Sequence, residues 1–420
     1  MKAFFWFCLV LLIPGLLLRL PIGGAGILAT DIILPIFSIT WIFQKIVVDR
    51  GFPKASFIKS GGMFLLFATI TLLWGSSDLP IKEIFLSSAY LLRFASFLVF
   101  GWAASDLFSL FSKNGAQERF WKNFFIIAST VVFLGFIQFF LIPDISTWST
   151  EGGLDPHTGR LLGTWLDPNF MAGFIGFVLP LLVGHWYANP QRKNKIILGI
   201  LILLFLTALF LTFSRSGYVA AVVGLLVFFL WRDPKIILVG AIISLLGIAS
   251  SERAQTRLEQ LAGTVSAIVL QDTDEIDPTA SLRMQSWERS FDLWKKYPLM
   301  GIGYNTYRYR ASEEGIVDEN YFSSGGSDST HLTILVTTGI FGFLLFLYFY
   351  SVLFWKSFKQ YRYQKNEIFL GFCAGLTALF IHGIFVNSLL FPFIFLPVMA
   401  VAGILDHKAG KKDSSGHLYF

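Results

Sequence analysis

Apolar runs of about 20 residues recur along this 420-residue chain, parted mostly by short polar connections. Each is long enough to cross a hydrocarbon core ~30 Å thick as a helix. Within lipid the backbone must satisfy its own hydrogen bonds, so such runs fold as helices. The period-two pattern of a membrane barrel is absent. Composition agrees: 55% of residues are hydrophobic and only 14% are charged, against roughly 25% charged in a soluble domain. The fold class expected is all-α, a polytopic integral membrane protein with a large helical loop on one side.

About twelve transmembrane helices are expected, near residues 4–20, 26–43, 61–74, 84–104, 124–142, 170–187, 196–213, 217–231, 236–248, 332–355, 368–386 and 389–405. The third and ninth are short, a mismatch that local bilayer thinning can cover. Every second connection is basic: Lys45, Arg50, Lys54 and Lys59; Lys113, Arg119 and Lys122; Arg192, Lys193 and Lys195; Arg232 and Lys235; Lys356, Lys359, Arg362 and Lys365; then the tail with Lys408, Lys411 and Lys412. By the positive-inside rule these face the cytoplasm with both termini, and the other connections face outward. The net charge of +6 is absorbed by this orientation bias, so nucleic acid is not an expected partner. Cys8 and Cys373 fall inside apolar runs and give no disulfide framework. The first run is read as a retained span, with a cleaved signal peptide as the alternative.

The organisation follows. Residues 1–250 form a nine-span bundle, 251–330 an outward helical loop, 331–405 the last three spans and 406–420 a cytoplasmic tail. Within the loop, 252–261 is compatible with a helix, and 271–278 is an acidic break with Asp272, Asp274, Glu275 and Asp277. Ser281 fits the N-cap of a helix over 282–296 that Pro298 closes. Met284, Trp287, Phe291 and Trp294 recur at helical spacing on it. That apolar face rests on the bundle, dips into the membrane interface or packs inside the loop. Residues 301–305 form a tight turn.

Few polar residues stand where chemistry is possible. Arg215 lies in the short outward connection Ser214-Arg215-Ser216-Gly217, against the orientation bias. A planar guanidinium there suits a phosphate or pyrophosphate, through paired charge-assisted bonds; the plainer role is an arginine snorkelling to headgroups. Arg283, one turn before Trp287, is either a second phosphate contact or an arginine solvated or packed on an aromatic face. Arg93 falls mid-span, where a charge is paired or lines a cavity. Asp328 and His331 stand at the entry to the tenth span. Either is able to accept a proton from a hydroxyl, while an N-cap for Asp328 and an interfacial place for His331 are the plainer roles. His157 reads as a solvated turn residue. Metal-ligand spacing, a phosphate-binding glycine loop and a Ser-His-Asp order are absent, so neither metal nor cofactor is expected.

Four segments together resemble the O-antigen ligase and O-antigen polymerase family. They are Arg160-Leu161-Leu162-Gly163-Thr164 with Asp167-Pro168-Asn169-Phe170-Met171-Ala172; Ser214-Arg215-Ser216-Gly217; Arg283 and Trp287 followed by Pro298-Leu299-Met300-Gly301-Ile302-Gly303; and Leu332 through Gly339-Ile340-Phe341-Gly342. The resemblance implies a GT-C-like glycosyltransferase architecture acting on an undecaprenyl-diphosphate-linked glycan, at the outer face of the cytoplasmic membrane. It implies that Arg215 and Arg283 hold the diphosphate leaving group. Arg160, Asn169, Ser214, Ser216 and Arg93 are candidates for support. It also implies metal-independent, inverting transfer, with a base activating the hydroxyl of a lipid or glycan acceptor. One departure matters: where ligases of the family often carry His-Asn, eleven residues before the span's glycine, this chain has Asp328-Ser329, with His331 one turn later. Asp328 as base, His331 in its place, and a polymerase-like or divergent member remain open. A transporter of lipid-linked glycans is the alternative from another class, but repeat symmetry is not evident. A non-catalytic scaffold leaves the two arginines unexplained.

Overall fold

The computed structural model describes residues 1–22, 25–109, 115–146, 157–237, 278–315 and 326–407. In chain order they form α1 (Lys2–Val10), a hairpin of β1 (Arg19–Ile22) and β2 (Ala25–Leu28), α2 (Ala29–Phe43), α3 (Ser56–Trp74), α4 (Ile81–Ser109), α5 (Ala116–Leu141), α6 (Pro168–Ala188), α7 (Arg192–Leu211), α8 (Arg215–Arg232), α9 (Pro278–Lys296), α10 (Tyr307–Glu313), α11 (Thr330–Gln364), α12 (Glu367–Phe385) and α13 (Pro392–His407). Among the described residues nine helices are long and apolar enough to cross a membrane, and the apolar stretch Pro392–Asp406 is shorter. The chain is an all-α polytopic membrane protein. Most of the expected ninth span, the helix over 252–261, the acidic residues before 278 and the tail after 407 lie outside the described residues.

The first expected span is not one helix. α1 stops at Val10, and turns lead through a 3-10 turn at Gly15–Leu18 into β1. Pro14 has no N–H to continue the ladder. Two of the carbonyls released there are met by residues from far along the chain. Thr164 Oγ1 donates to Ile13 O at 2.6 Å and Trp165 Nε1 to Leu12 O at 2.9 Å.

α6 is the hub. Every residue from Met171 to Gly184 is buried, the mark of an apolar helix enclosed by others. It packs against α7, α8 and α12. Close approach to α12 depends on missing side chains. A Cβ on Gly371 would lie 2.6 Å from Pro180 O, and one on Gly184 2.6 Å from Glu367 O. Small residues at a helix contact let the backbones draw together, which drives packing where lipid offers no hydrophobic gain.

α11 is broken. Gly339 stands at φ 65°, ψ −173° inside it, a conformation that strains any residue bearing a Cβ. The break frees backbone groups, and the loop after α9 takes them up. Ile302 N–H donates to Val336 O at 3.0 Å and Gly303 N–H to Thr337 O at 3.1 Å, while Ile340 N–H donates to Pro298 O at 2.9 Å. The Pro298–Gly303 segment is therefore a plug seated in a discontinuous helix rather than a simple turn.

α9 also differs from its expected form. It begins at Pro278, so Ser281 lies inside the first turn and is not the N-cap; proline suits a first helical position because its φ is preset. Nor does the apolar stripe face inward as a unit. Ser286, Ser290 and Leu293 are buried, while Phe291 is exposed. The seat beneath is partly polar: Ser290 Oγ lies 2.7 Å from the Tyr307 hydroxyl of α10, and Leu293 joins Ile302, Tyr307, Ala311 and Val336 in a small separate core.

Candidate functional site

The site is built at the end of the bundle where α6 and α8 begin and α12 finishes. Asp167 caps α6, its Oδ1 accepting the N–H groups of Asn169 at 2.6 Å and Phe170 at 3.1 Å. Burial pushes the Asp167 carboxyl up from its ordinary value, against those two bonds and the Arg160 charge, which act to lower it. With its backbone fixed, Asn169 offers Oδ1 to the Ser214 hydroxyl at 2.9 Å. Ser214 is at once the N-cap of α8, accepting from Gly217 N–H at 3.3 Å, and lies 3.2 Å from Ser216 Oγ. Residues 169, 214 and 216 thus form one hydroxyl–amide chain that ties the first turn of α8 to the first turn of α6.

Arg160 holds the turn in front of it. Its Nε donates to Thr212 O at 2.8 Å and Nη2 to Phe213 O at 3.3 Å. These are carbonyls at the end of a helix, which otherwise lack partners. Phe213 itself stands at φ 48°, so the clamp secures a strained turn. Gln138, a buried polar residue in the last turn of α5, supports the same segment: its Oε1 accepts Leu162 N–H at 2.8 Å and Gly163 N–H at 3.1 Å. His157 is half-buried rather than solvated. Its imidazole is pushed down to about 4, by burial first and by the Arg160 charge second.

Arg215 opens α8 with its side chain exposed. A helix N-terminus carries a partial positive charge that adds to the guanidinium. His382 lies on α12, and Arg283 is half-buried on α9. One turn on, Trp287 packs 6.1 Å from Phe385, near the end of α12. The His382 ring sits against α6, where a Cβ on Gly173 would approach its Cε1 and Nδ1 to 3.0 Å. Ser214, just before Arg215, is thus bonded to the first turn of α6, and Trp287, one turn after Arg283, packs at the end of α12.

Asp328 and His331 occupy different settings. Ser329 caps α11, its Oγ accepting Leu332 N–H at 3.3 Å and donating to Gly383 O at 3.2 Å. Asp328 is neither the cap nor part of the helix, so it does not share a helical face with His331. Asp328 N–H donates to Ser286 Oγ at 3.3 Å, which places it beside the helix that carries Arg283. His331 turns toward α12. Its Nε2 lies 2.9 Å from Phe380 O and its ring 4.4 Å from the Phe380 ring. A carbonyl only accepts, so Nε2 bears the hydrogen and Nδ1 keeps its lone pair.

Arg93 belongs to another place. Its Nε and Nη2 donate to both Asp31 oxygens at 2.6 Å each, and its guanidinium lies 4.3 Å over the Tyr90 ring. Near it, burial pushes the Tyr304 phenol well above its usual range. No group of three His, Cys, Asp or Glu side chains among the described residues is placed to hold a metal ion. Sequence reasoning did not single out His382, Ser388, Gln138 or Asp31. The signal available was a lone polar residue inside an apolar run, which is otherwise costly.

Residues 200–347 match the O-antigen ligase family. The match spans about a third of the chain and includes Ser214–Gly217, Arg283, Pro298–Gly303, Asp328, His331 and Gly339. The O-antigen ligase resemblance read from the motifs is borne out over that stretch. Arg160, Asn169 and His382 lie outside the O-antigen ligase match. No curated protein matches the chain.

Proposed function

We propose that this protein transfers a glycan from undecaprenyl diphosphate to an acceptor hydroxyl, at the outer face of the cytoplasmic membrane. The observation that supports the reading is the bond from Ser214, just before Arg215, to Asn169 of α6, with the helix bearing Arg283 packed through Trp287 at the end of α12. Arg215 and Arg283 neutralise the diphosphate as it leaves, which stabilises charge that develops in the transition state. Arg160, Asn169, Ser214 and Ser216 position Arg215 rather than touch the substrate. Transfer is metal-independent and inverting in this reading, with a base removing the proton of the acceptor hydroxyl on the face opposite the leaving group. Asp328 takes that role, because it stands outside the helix beside the segment bearing Arg283. A second reading gives the base role to His331, whose Nδ1 lone pair is set by the Phe380 bond.

The test is transfer by the full chain in proteoliposomes supplied with lipid-linked glycan. Arg215→Ala and Arg283→Ala are expected to insert and fold yet lose transfer; normal transfer by either sinks the diphosphate role. Loss with Asp328→Asn and retention with His331→Ala assigns the base to Asp328, and the reverse assigns it to His331. Product formed only after a lipid acceptor is added identifies ligation. Lengthened chains without it identify polymerisation.

A further inference from the structure

α12 carries a group that the motifs do not include. His382 is fully buried, and its Nδ1 lies 2.8 Å from the hydroxyl of Ser388, itself fully buried. Its Nε2 is also buried and has no hydrogen-bond partner among the described residues. The tautomer follows from satisfying the serine. A buried hydroxyl hydrogen needs an acceptor, and the His382 ring nitrogen is the acceptor at hand. With Ser388 donating to Nδ1, the ring hydrogen sits on Nε2. The opposite tautomer would strand both the serine hydrogen and the Nε2 lone pair.

The Nε2–H is thus a buried neutral donor that lacks an acceptor. Its surroundings define what it would take. The adjoining ring edge packs on Gly173, one turn along α6 from Asn169. Arg283 stands on α9 one turn before Trp287, whose ring packs 6.1 Å from that of Phe385, one turn past His382. An acceptor suited to an N–H beside a guanidinium is an anionic oxygen, because bonds with one charged partner are the stronger ones.

We propose that His382 is a further substrate-contacting residue, its Nε2–H donating to an oxygen of the diphosphate held by Arg283, with Ser388 fixing its tautomer. This rests on the diphosphate reading above. His382 adds a donor without adding charge, so it strengthens anion binding without the cost of burying a cation. Gly173 is required because any side chain there would displace the ring.

The test is a titration of the full chain, in lipid nanodiscs, with farnesyl diphosphate. His382→Asn keeps a polar group toward Ser388 but has no donor at the Nε2 position, whereas His382→Gln places an amide N–H there. His382→Asn is expected to weaken binding by roughly tenfold, the scale of one hydrogen bond to a charged group. His382→Gln is expected to bind close to the parent, and Ser388→Ala to fall between the two. Parent-like binding by His382→Asn, or equal loss in both His382 variants, overturns the proposal. Arg215→Ala in the same titration separates the two levels. If it loses binding while His382→Asn does not, only the His382 role fails; if it too binds like the parent, the diphosphate reading fails.

Discussion

Two arginines in this protein sit near the membrane and are treated in opposite ways. Arg93 is mid-helix in α4 and is met by the chain's own carboxylate, both Asp31 oxygens at 2.6 Å, with side chains only 15% and 17% exposed. Arg215 is exposed at the first position of α8, set there by Asn169, Ser214 and the Arg160 clamp behind it. A charge in lipid is costly unless answered. At Arg93 the answer is intramolecular and serves packing. At Arg215 the surrounding bonds fix the first turn of α8 and leave the side chain exposed, as the proposed anion role requires.

The largest expected effect breaks the structural side of that contrast. Arg93→Ala leaves Asp31 buried without its cation, and removal of one partner from a buried pair costs about 3–5 kcal/mol. Thermal unfolding in detergent should show it, and Asp31→Asn combined with Arg93→Leu should recover much of the loss. Nearly as large, but in turnover rather than stability, is the effect of Arg283→Ala. Loss of one donor to developing charge lowers rate by about 10²–10³, so transfer should collapse while the unfolding temperature holds. Smaller is Gly339→Ala. Its Cβ would lie 2.1 Å from Leu299 O at a left-handed φ, and a cost of about 1–3 kcal/mol is expected for strain of this kind. Proteolysis within the loop after α9 should accelerate as the plug loosens. The smallest is Trp165→Phe, which removes one bond to Leu12 O and should lower stability by about 1 kcal/mol.

How far the sequence carried the reading differs by element. The long apolar runs were legible because composition and length alone decide them; α5, α7 and α12 fall close to where the hydropathy placed them. The first run misled because hydropathy does not register that Pro14 ends a helix whose carbonyls are then met by Thr164 and Trp165, about 150 residues away. The same limit hid the break at Gly339. Pro298, Gly301 and Gly303 were visible as a motif, but their purpose is a backbone docking into α11 that only the fold reveals. On α9 the stripe of Met284, Trp287, Phe291 and Trp294 was read as one apolar face, yet Tyr307 gives the helix a polar seat at Ser290. At the site, Arg215 and Arg283 stood out because charge is rare here. His382 did not, since its meaning comes from Ser388, Gly173 and Arg283, three residues distant in sequence from one another.

The contrast between the two arginines is tested most directly by the shift in unfolding temperature that farnesyl diphosphate confers, because a ligand that binds only the folded state raises that temperature. The parent, Arg93→Lys and Arg215→Ala are to be measured in the same nanodiscs. Arg93→Lys should start lower and still gain the parent's shift, while Arg215→Ala should start at the parent's temperature and gain none. A full shift in Arg215→Ala, or its loss in Arg93→Lys, would contradict the division of labour drawn between them.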